Sequence, residues 1–442
     1  MNRGIFYNSA LTVFRQVLSI CLGIIATMII ARTLGAEGQG QYTLAILLPT
    51  LLYTLFNSGL STSTVYFLAK KKYSDIDIYS TNLLTSFLLS ILSILVGILV
   101  VFFFKDYFFE NINKQLLFCS LLILPILFTQ KNLPTIFQAK EEFKKFNIII
   151  LLNQLGLLIF SIFFVWVLKL GVLGAIFSFA SAQLLMLIVT FYFLYKSYGL
   201  LLPQKYSFSY LKDSFYFGFK SHFSNVLTFL NYRLDVFLIA YYMDDSAVGL
   251  YSIAVILSER IWTVSQSVST VLFARISQLT DNVSKNKFTS LASRNTLFIS
   301  LIGGSILALL SNWIIIILFG NNFSDSILPF LCLLPGVIIF SFGRVLSNDF
   351  IGRGYPEINT YIAIIIAFTN LILNLWLIPL YGIKGAAIST SISYTFDVII
   401  KSIVFSRKNS IPYSEFIIMN DIEIKSLIEC GINNPYKKNL KI

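Results

Sequence analysis

Polar side chains recur along one face of an apolar segment, and they are the chain's first candidates for chemistry. Between residues 221 and 242 they follow the spacing i, i+3, i+4, i+7, i+10, i+11 and i+14, which is one side of a helix. The stripe consists of Ser221, Ser224, Asn225, Thr228, Asn231, Tyr232 and Asp235. Such a face suits lipid poorly, so we expect it to line water or an opposing bundle; the alternative is polar contact between packed helices.

Charged residues inside apolar segments are the second set of candidates, because a charge within a bilayer needs a partner or water. Arg233 and Asp235 point in different directions on a helix and need separate partners, for which Glu259 and Arg260 are the candidates. Arg15 either faces a cavity or extends to the membrane interface. The predicted cavity residues are Arg15, Asn57, Asn225, Asn231, Arg233, Asp235, Glu259, Arg260 and Gln266.

These side chains suit binding better than catalysis. Hydroxyl, amide and tyrosine groups match sugars, and the planar fork of arginine matches phosphate. A zinc site or a Ser-His-Asp triad would need convergent ligands, but His222 is the only histidine and the four cysteines lack metal-ligand spacing. We therefore expect no enzymatic activity, no metal and no cofactor.

The composition places these residues in a membrane protein. Of the 442 residues, 56% are hydrophobic and 12% charged, whereas soluble domains average about 25% charged residues. This balance excludes a soluble enzyme, a disordered chain and a nucleic-acid-binding protein. The net charge of +12 is typical of loops retained on the cytoplasmic side of a membrane.

Twelve apolar runs are long enough to cross a bilayer, which takes about 20 residues. The sequence therefore predicts an all-α integral membrane protein with twelve transmembrane helices. The runs lie near residues 10–31, 41–60, 82–104, 115–131, 147–168, 172–195, 221–242, 250–272, 295–319, 327–347, 360–380 and 385–405.

The distribution of Lys and Arg predicts the orientation. With the N-terminus inside, 25 of these residues lie in cytoplasmic stretches and 5 in outer loops. Both termini are therefore expected in the cytoplasm, and the polar residues 409–442 are expected to form a cytoplasmic tail. The five outer residues are Arg32, Lys105, Lys114, Lys169 and Lys384.

The chain repeats itself at an offset of about 210 residues. Residues 31–45 align without a gap on residues 240–254, with matches at Ala31/Ala240, Gly40/Gly249, Tyr42/Tyr251 and Ala45/Ala254. Two weaker echoes follow in the same order, at residues 133–140 with 346–353 and 171–175 with 382–386.

The repeat predicts two parallel six-helix bundles, residues 1–207 and 208–408, related by a pseudo-twofold axis along the membrane normal. Six spans are an even number, so both halves keep the same orientation. Two bundles that face each other imply a central cavity and alternating access.

The motif Ala31-Arg32-x-Leu34-Gly35-x4-Gly40-x-Tyr42-x-x-Ala45 resembles the first-loop signature of Wzx-type oligosaccharide flippases. These are the polysaccharide-transport branch of the multidrug/oligosaccharidyl-lipid/polysaccharide (MOP) exporters, which have a MATE-like fold. The resemblance covers residues 5–408. Residues 231–235, 249–254, 258–262 and 271–277 resemble the family's seventh and eighth spans, except that Ala274 stands where proline is expected.

The resemblance implies a flippase that moves undecaprenyl-diphosphate-linked sugar repeat units across the bacterial inner membrane for O-antigen, capsule or other surface polysaccharide. Its expected partners are the lipid-linked oligosaccharide, membrane lipid and polysaccharide polymerase machinery, without nucleic acid. Because an arginine deep within an apolar segment needs a partner or water, we hypothesise that Arg233 contacts the diphosphate or a counter-acid across the cavity. Asp235 and Glu259 would balance its charge, and Arg15 would assist from the first half.

Two alternatives remain at this point. A multidrug or small-metabolite exporter of the same superfamily would be favoured by a buried acid in the first half. A membrane polymerase or ligase of polysaccharide assembly would be favoured by a large external loop. The predicted spans of the first half contain no acid, and every predicted loop is short.

Overall fold

The computed structural model describes residues 3–199, 202–263 and 281–418, and between the last two ranges residues 265, 266, 268, 269, 272, 276 and 279. Side chains are described from residue 14 onward, except those of residues 220 and 221. Helices and their connections account for all of this structure, and no strand occurs among the described residues. The prediction of an all-α protein is confirmed.

Eight α-helices precede residue 200. They are α1 (Arg3–Phe56), α2 (Leu60–Lys70), α3 (Asp75–Phe108), α4 (Lys114–Leu121), α5 (Leu124–Asn132), α6 (Thr135–Ala139), α7 (Phe143–Ser161) and α8 (Gly171–Tyr198). A π-helical segment, Ile162–Val167, continues α7.

Eight further α-helices are described after residue 200. They are α9 (Phe208–Tyr242), α10 (Asp245–Ser258), α11 (Asn282–Leu309), α12 (Ser311–Phe319), α13 (Ile327–Gly352), α14 (Pro356–Tyr381), α15 (Ile383–Asn409) and α16 (Tyr413–Ile417). Two 3-10 segments, Glu259–Ile261 and Asn321–Ser326, follow α10 and α12.

Short polar side chains fix where several helices begin, because they accept hydrogen bonds from backbone N–H groups left free in the first turn. Ser74 accepts from Asp77 N at 3.1 Å before α3, and Asp244 accepts from Ala247 N at 2.7 Å before α10. Asp281 accepts from Ser284 N at 2.8 Å before α11. The backbone hydrogen bond from Ser284 lowers the pKa of Asp281 below its ordinary value.

Nine segments of the described chain are long and apolar enough to cross a membrane, so the chain is a multi-pass membrane protein. The predicted number of twelve stays a prediction, as does the division into two six-helix bundles. The nine segments are Phe14–Phe56, Asp75–Phe108, Lys114–Ala139, Phe143–Val167, Gly171–Tyr198, Asn282–Leu309, Asn321–Gly352, Pro356–Tyr381 and Ile383–Asn409.

Two of the predicted spans lie in α1, which is broken at Gly35. This residue has φ 71° and ψ −175°, a backbone conformation that glycine adopts without a steric penalty.

The predicted seventh span lies in α9, whose polar stripe lowers its hydropathy. The predicted eighth span begins in α10, which has only 14 residues. Both are therefore absent from the nine segments found in the described chain.

The described residues form two compact units. The first comprises the chain up to Arg260 with Leu310–Leu333 and Ala363–Thr390. The second comprises Ile261–Leu309, Leu334–Ile362 and the described residues from Ser391 onward. The predicted tail, residues 409–442, lies outside the described residues after residue 418, and so does most of the 271–277 motif.

The core of the second unit is tied together by Arg353. Its Nε donates to Asp349 Oδ2 at 2.7 Å, and its Nη1 and Nη2 donate to Asn409 and Asn286 at 2.9 and 2.8 Å. Asp349 is fully buried and also accepts from Thr289 Oγ1 at 2.6 Å. One guanidinium therefore joins α11, α13 and α15.

Candidate functional site

The repeated glycines of the sequence meet where α1 crosses α10. A Cβ atom on Gly40 would lie 1.7 Å from the backbone oxygen of Asp245, and one on Gly249 would lie 1.9 Å from that of Ala36. Ala36 and Asp245 are equivalent positions of the repeat, as Gly40 and Gly249 are. The contact is therefore symmetric, and any side chain larger than hydrogen at either glycine would force the helices apart.

A cavity of about 270 Å³ opens beside this crossing and is called the Arg233 cavity below. Its walls come from both arms of α1 and from α7, α9 and α10, all within the first unit. Its polar lining side chains are Thr27, Gln39, Tyr42, Thr43, Thr50, Arg233 and Ser252. Hydroxyl, amide and guanidinium groups thus face one space, together with aliphatic residues and Phe229.

Arg233 enters this cavity while paired with Glu259. Its Nη1 and Nη2 donate to the two carboxylate oxygens at 2.9 and 3.2 Å, and Nη1 also donates to the Tyr232 carbonyl at 3.1 Å. The side chains retain 32% and 22% exposure. Because guanidinium carries five N–H donors in a planar fork, Arg233 can bind more than one acceptor at a time.

Asp235 has different partners, as expected from its spacing to Arg233. It is 2% exposed and accepts hydrogen bonds from the Tyr251 hydroxyl, the Val236 N–H at 2.8 Å and the Thr390 hydroxyl at 3.2 Å. These contacts join α9 to α10 and α15. The arrangement makes Asp235 a link between helices, whereas Arg233 lines the cavity.

Two other predicted arginines are half-buried, and Glu259 interacts electrostatically with one of them, Arg260. Neither Arg15 nor Arg260 forms an ion pair within the described part of the chain, and the Nε atom of each has no hydrogen-bond partner there. Arg260 directly follows Glu259 in the 3-10 turn.

The predicted amides occupy different environments. Asn231 is 8% exposed, and its Oδ1 lacks a hydrogen-bond partner among the described residues. Asn57 is half-buried at the break between α1 and α2, whereas Asn225 and Gln266 are exposed. Of the nine predicted residues, the structure directly brings together Arg233 and Glu259. In the part of the chain that is described, no cluster of His, Cys, Asp or Glu could hold a metal ion.

The sequence analysis missed a second cavity, of about 320 Å³, whose lining includes Lys131. Lys131 is one of the 25 Lys and Arg residues assigned to cytoplasmic stretches, because the fourth apolar run ends at this residue. The structure places Lys131 within the membrane segment Lys114–Ala139. The signal that could have placed Lys131 inside this segment is the sequence after Asn132, which continues the segment through α6.

The sequence model of the family described as "Polysaccharide biosynthesis protein" matches residues 5–280. The capsular polysaccharide biosynthesis protein CapF of Staphylococcus aureus is 24% identical, over 86% of this chain and 93% of its own length. A Shigella flexneri protein named as an O-antigen transporter is also 24% identical, over 92% of this chain and 99% of its own length.

Two solved structures show the same fold. The lipid II flippase MurJ in an inward closed conformation has a TM-score of 0.78 and 18% identity, covering 97% of this chain and 94% of its own. An inward-facing MATE multidrug resistance transporter of the MOP superfamily has a TM-score of 0.72 and 14% identity, covering 90% and 98%. The chain thus has the fold of the MOP superfamily.

Proposed function

We propose that this chain, which belongs to the polysaccharide biosynthesis protein family, is a flippase for undecaprenyl-diphosphate-linked oligosaccharide repeat units. The proposal rests on the alignment, over 92% of this chain, with a relative named as an O-antigen transporter. In this proposal it works by alternating access in the bacterial inner membrane and is not an enzyme. Its product feeds O-antigen, capsule or another surface polysaccharide.

The finer architecture belongs to the same proposal. Two parallel six-helix bundles, residues 1–207 and 208–408, would be related by the pseudo-twofold axis that the repeat implies. The symmetric contact of Gly40 with Gly249 supports this arrangement, because equivalent positions of the two repeats meet each other. Both termini face the cytoplasm, which is supported by the 25 to 5 distribution of Lys and Arg.

The substrate's parts would separate by polarity. The polyprenyl tail stays in the bilayer, while the diphosphate and sugars cross within the cavity. Moving one charge through 100 mV changes its free energy by about 2.3 kcal/mol. For a diphosphate with about two negative charges, an inside-negative potential of that size favours outward movement by about 4–5 kcal/mol.

Arg233 is the residue that we assign to the diphosphate. Its guanidinium reaches the cavity and is held by both oxygens of Glu259, so its orientation is fixed before the substrate arrives. Phosphate would share or replace the Glu259 carboxylate, since each group can present two oxygens to the planar fork of the guanidinium group. Arg15 and Arg260 would add positive charge along the path.

The cavity walls disfavour the exporter alternative. A transporter of organic cations needs a buried acid to hold its substrate. Neither the Arg233 cavity nor the second cavity has an Asp or Glu among its lining residues. Their charged lining residues are Lys131 and Arg233, the latter paired with Glu259, so the lining offers a cation no carboxylate.

Deletion of the gene tests the proposal. A flippase mutant should accumulate sugar-loaded carrier lipid in the cytoplasmic leaflet while repeat-unit synthesis continues, and the wild-type gene should restore surface polysaccharide. Loss of repeat-unit synthesis itself would instead favour an enzyme, and repeat units that reach the outer leaflet without being joined would support the polymerase or ligase alternative. The downstream polysaccharide polymerase is the protein partner that we propose.

A further inference from the structure

The second cavity lies wholly within the first unit, between α1, α5, α7 and α8. Ile46, Thr50 and Leu157 line both this cavity and the Arg233 cavity, so the two are neighbours. The polar side chains of the second cavity are Thr50, Tyr53, Lys131, Asn153, Gln154 and Gln183. We call it the Lys131 cavity.

Lys131 carries a positive charge that no described residue neutralises. Its side chain is exposed and lines the cavity. It forms neither an ion pair nor a hydrogen bond with the described residues. The described lining of the cavity contains no Asp or Glu beside Lys131. An anion in the cavity would therefore bind the ammonium group favourably.

Two amides beside Lys131 are fixed by one hydrogen bond. Asn153 Nδ2 donates to Gln183 Oε1 at 3.1 Å. The bond leaves Asn153 Oδ1 as an acceptor and Gln183 Nε2 as a donor, and neither has a further partner within the described structure. Such a fixed acceptor–donor pair matches neighbouring hydroxyl groups of a sugar.

Tyr53 forms a rigid aromatic wall of the same cavity. Its ring packs edge-on against Phe128, with 5.0 Å between the ring centroids. The cavity volume of about 320 Å³ lies at the lower end of the range of small-molecule sites. It therefore suits one sugar unit rather than a whole repeat unit.

We propose that the Lys131 cavity is a substrate subsite that binds a sugar unit carrying or adjoining an oxyanion, with Lys131 holding the oxyanion. The identity of the ligand as a carrier-linked saccharide rests on the proposed flippase function. The oxyanion is either the carrier's phosphate or a sugar carboxylate, and both would bind the same ammonium group. Asn153 and Gln183 would hold the sugar hydroxyls.

Amine footprinting of the purified full chain tests the site without requiring transport. Sulfosuccinimidyl acetate acetylates accessible lysines, and mass spectrometry compares Lys131 with Lys144, which is exposed in the first turn of α7. At twice its dissociation constant, a bound anion should slow acetylation of Lys131 about threefold and leave Lys144 unaffected. The probes are inorganic diphosphate, glucuronate and glucose.

The pattern of protection separates the two sources of the oxyanion. Protection by diphosphate points to the carrier, and protection by glucuronate points to an acidic sugar. Glucose should protect less than either anion. If neither diphosphate nor glucuronate slows acetylation of Lys131 relative to Lys144 at any concentration tested, the subsite does not exist.

Variants then test the role of the site in translocation. Lys131→Met should lower transport about tenfold at normal protein level, Lys131→Arg should retain most activity, and Lys144→Met should match the wild type. Wild-type transport by Lys131→Met would overturn the role. A wild-type protein that moves no lipid-linked saccharide would contradict the flippase proposal, while the footprint would still decide whether the site exists.

Discussion

Arg233 and Asp235 lie two residues apart and perform different tasks. The sequence indicated that they need separate partners, and the structure provides Glu259 for one and Tyr251 with Thr390 for the other. The choice of partner depends on the 3-10 turn after α10, which sets the direction of Glu259. Helical periodicity alone contains no signal for such a turn, so the pairing could not be predicted.

Substitutions of Arg233 should distinguish phosphate binding from a purely structural ion pair. Arg233→Lys keeps the charge but loses the bidentate fork, and we expect transport to fall about tenfold. Arg233→Ala should abolish transport while the protein still inserts. The measurement is surface polysaccharide at equal protein level, with Arg407→Lys and Arg407→Ala as controls, because Arg407 is exposed.

The double variant Arg233→Ala with Glu259→Gln completes this test. It removes both charges, so a mere structural pair would regain activity once the orphaned carboxylate is gone. We expect the double variant to remain inactive. Recovered transport, or full transport by Arg233→Ala alone, would remove Arg233 from the binding site.

At the scale of helices, the close packing of α1 against α10 depends on two glycines, and the sequence reveals only part of their role. The repeat identified Gly40 and Gly249 as equivalent, but their mutual contact is a tertiary feature. Lys131 shows the same limit, since an apolar run that ends at a lysine predicts a loop. Only the arrangement of α5, α7 and α8 reveals the cavity that Lys131 faces.

Alanine at Gly40 or Gly249 should separate α1 from α10. The added Cβ would overlap a backbone oxygen, which cannot move without shifting a helix. We expect either variant to lower the melting temperature and to abolish transport. Gly303→Ala is the matched control, because a Cβ there meets no atom within 4 Å; it should be neutral or stabilise the helix by up to about 1 kcal/mol. Unchanged melting of Gly249→Ala would contradict the observed contact.

Arg353→Ala should destabilise the packing of α11, α13 and α15. The variant leaves Asp349 charged, buried and unpaired, and we expect a loss of about 3–5 kcal/mol in the free energy of unfolding. Adding Asp349→Asn should restore part of this loss. Denaturant unfolding in detergent, with Arg407→Ala as the control, measures the difference. Equal stability of Arg353→Ala and the control would show that the network contributes nothing.

At the scale of the whole molecule, composition and hydropathy were sufficient to predict an all-helical membrane protein. The number of spans was harder to predict, because the polar stripe of α9 and the short α10 weaken the apolar signal beside the Arg233 cavity. Two predicted spans also lie in the single helix α1, on either side of the break at Gly35. Hydropathy therefore describes lipid-facing segments better than cavity-facing ones.

Cysteine labelling tests the proposed orientation. Single cysteines at Lys71, Lys144, Asn286 and Lys408 should react only with reagent on the cytoplasmic side. Cysteines at Lys105 and Asp325 should react from outside, because the distribution of Lys and Arg places those loops there. Labelling of position 144 from outside would overturn the twelve-span topology.

The central claim is that the protein itself moves a lipid-linked saccharide between leaflets. The most direct measurement reconstitutes the purified chain in vesicles that contain a polyprenyl-diphosphate-linked saccharide, and follows access of an external, membrane-impermeant glycosidase to the inner-leaflet pool. We expect the wild-type protein to expose this pool, Arg233→Ala to leave it protected, and Arg407→Ala to match the wild type. An inner pool that stays protected in the presence of folded wild-type protein would contradict the flippase function.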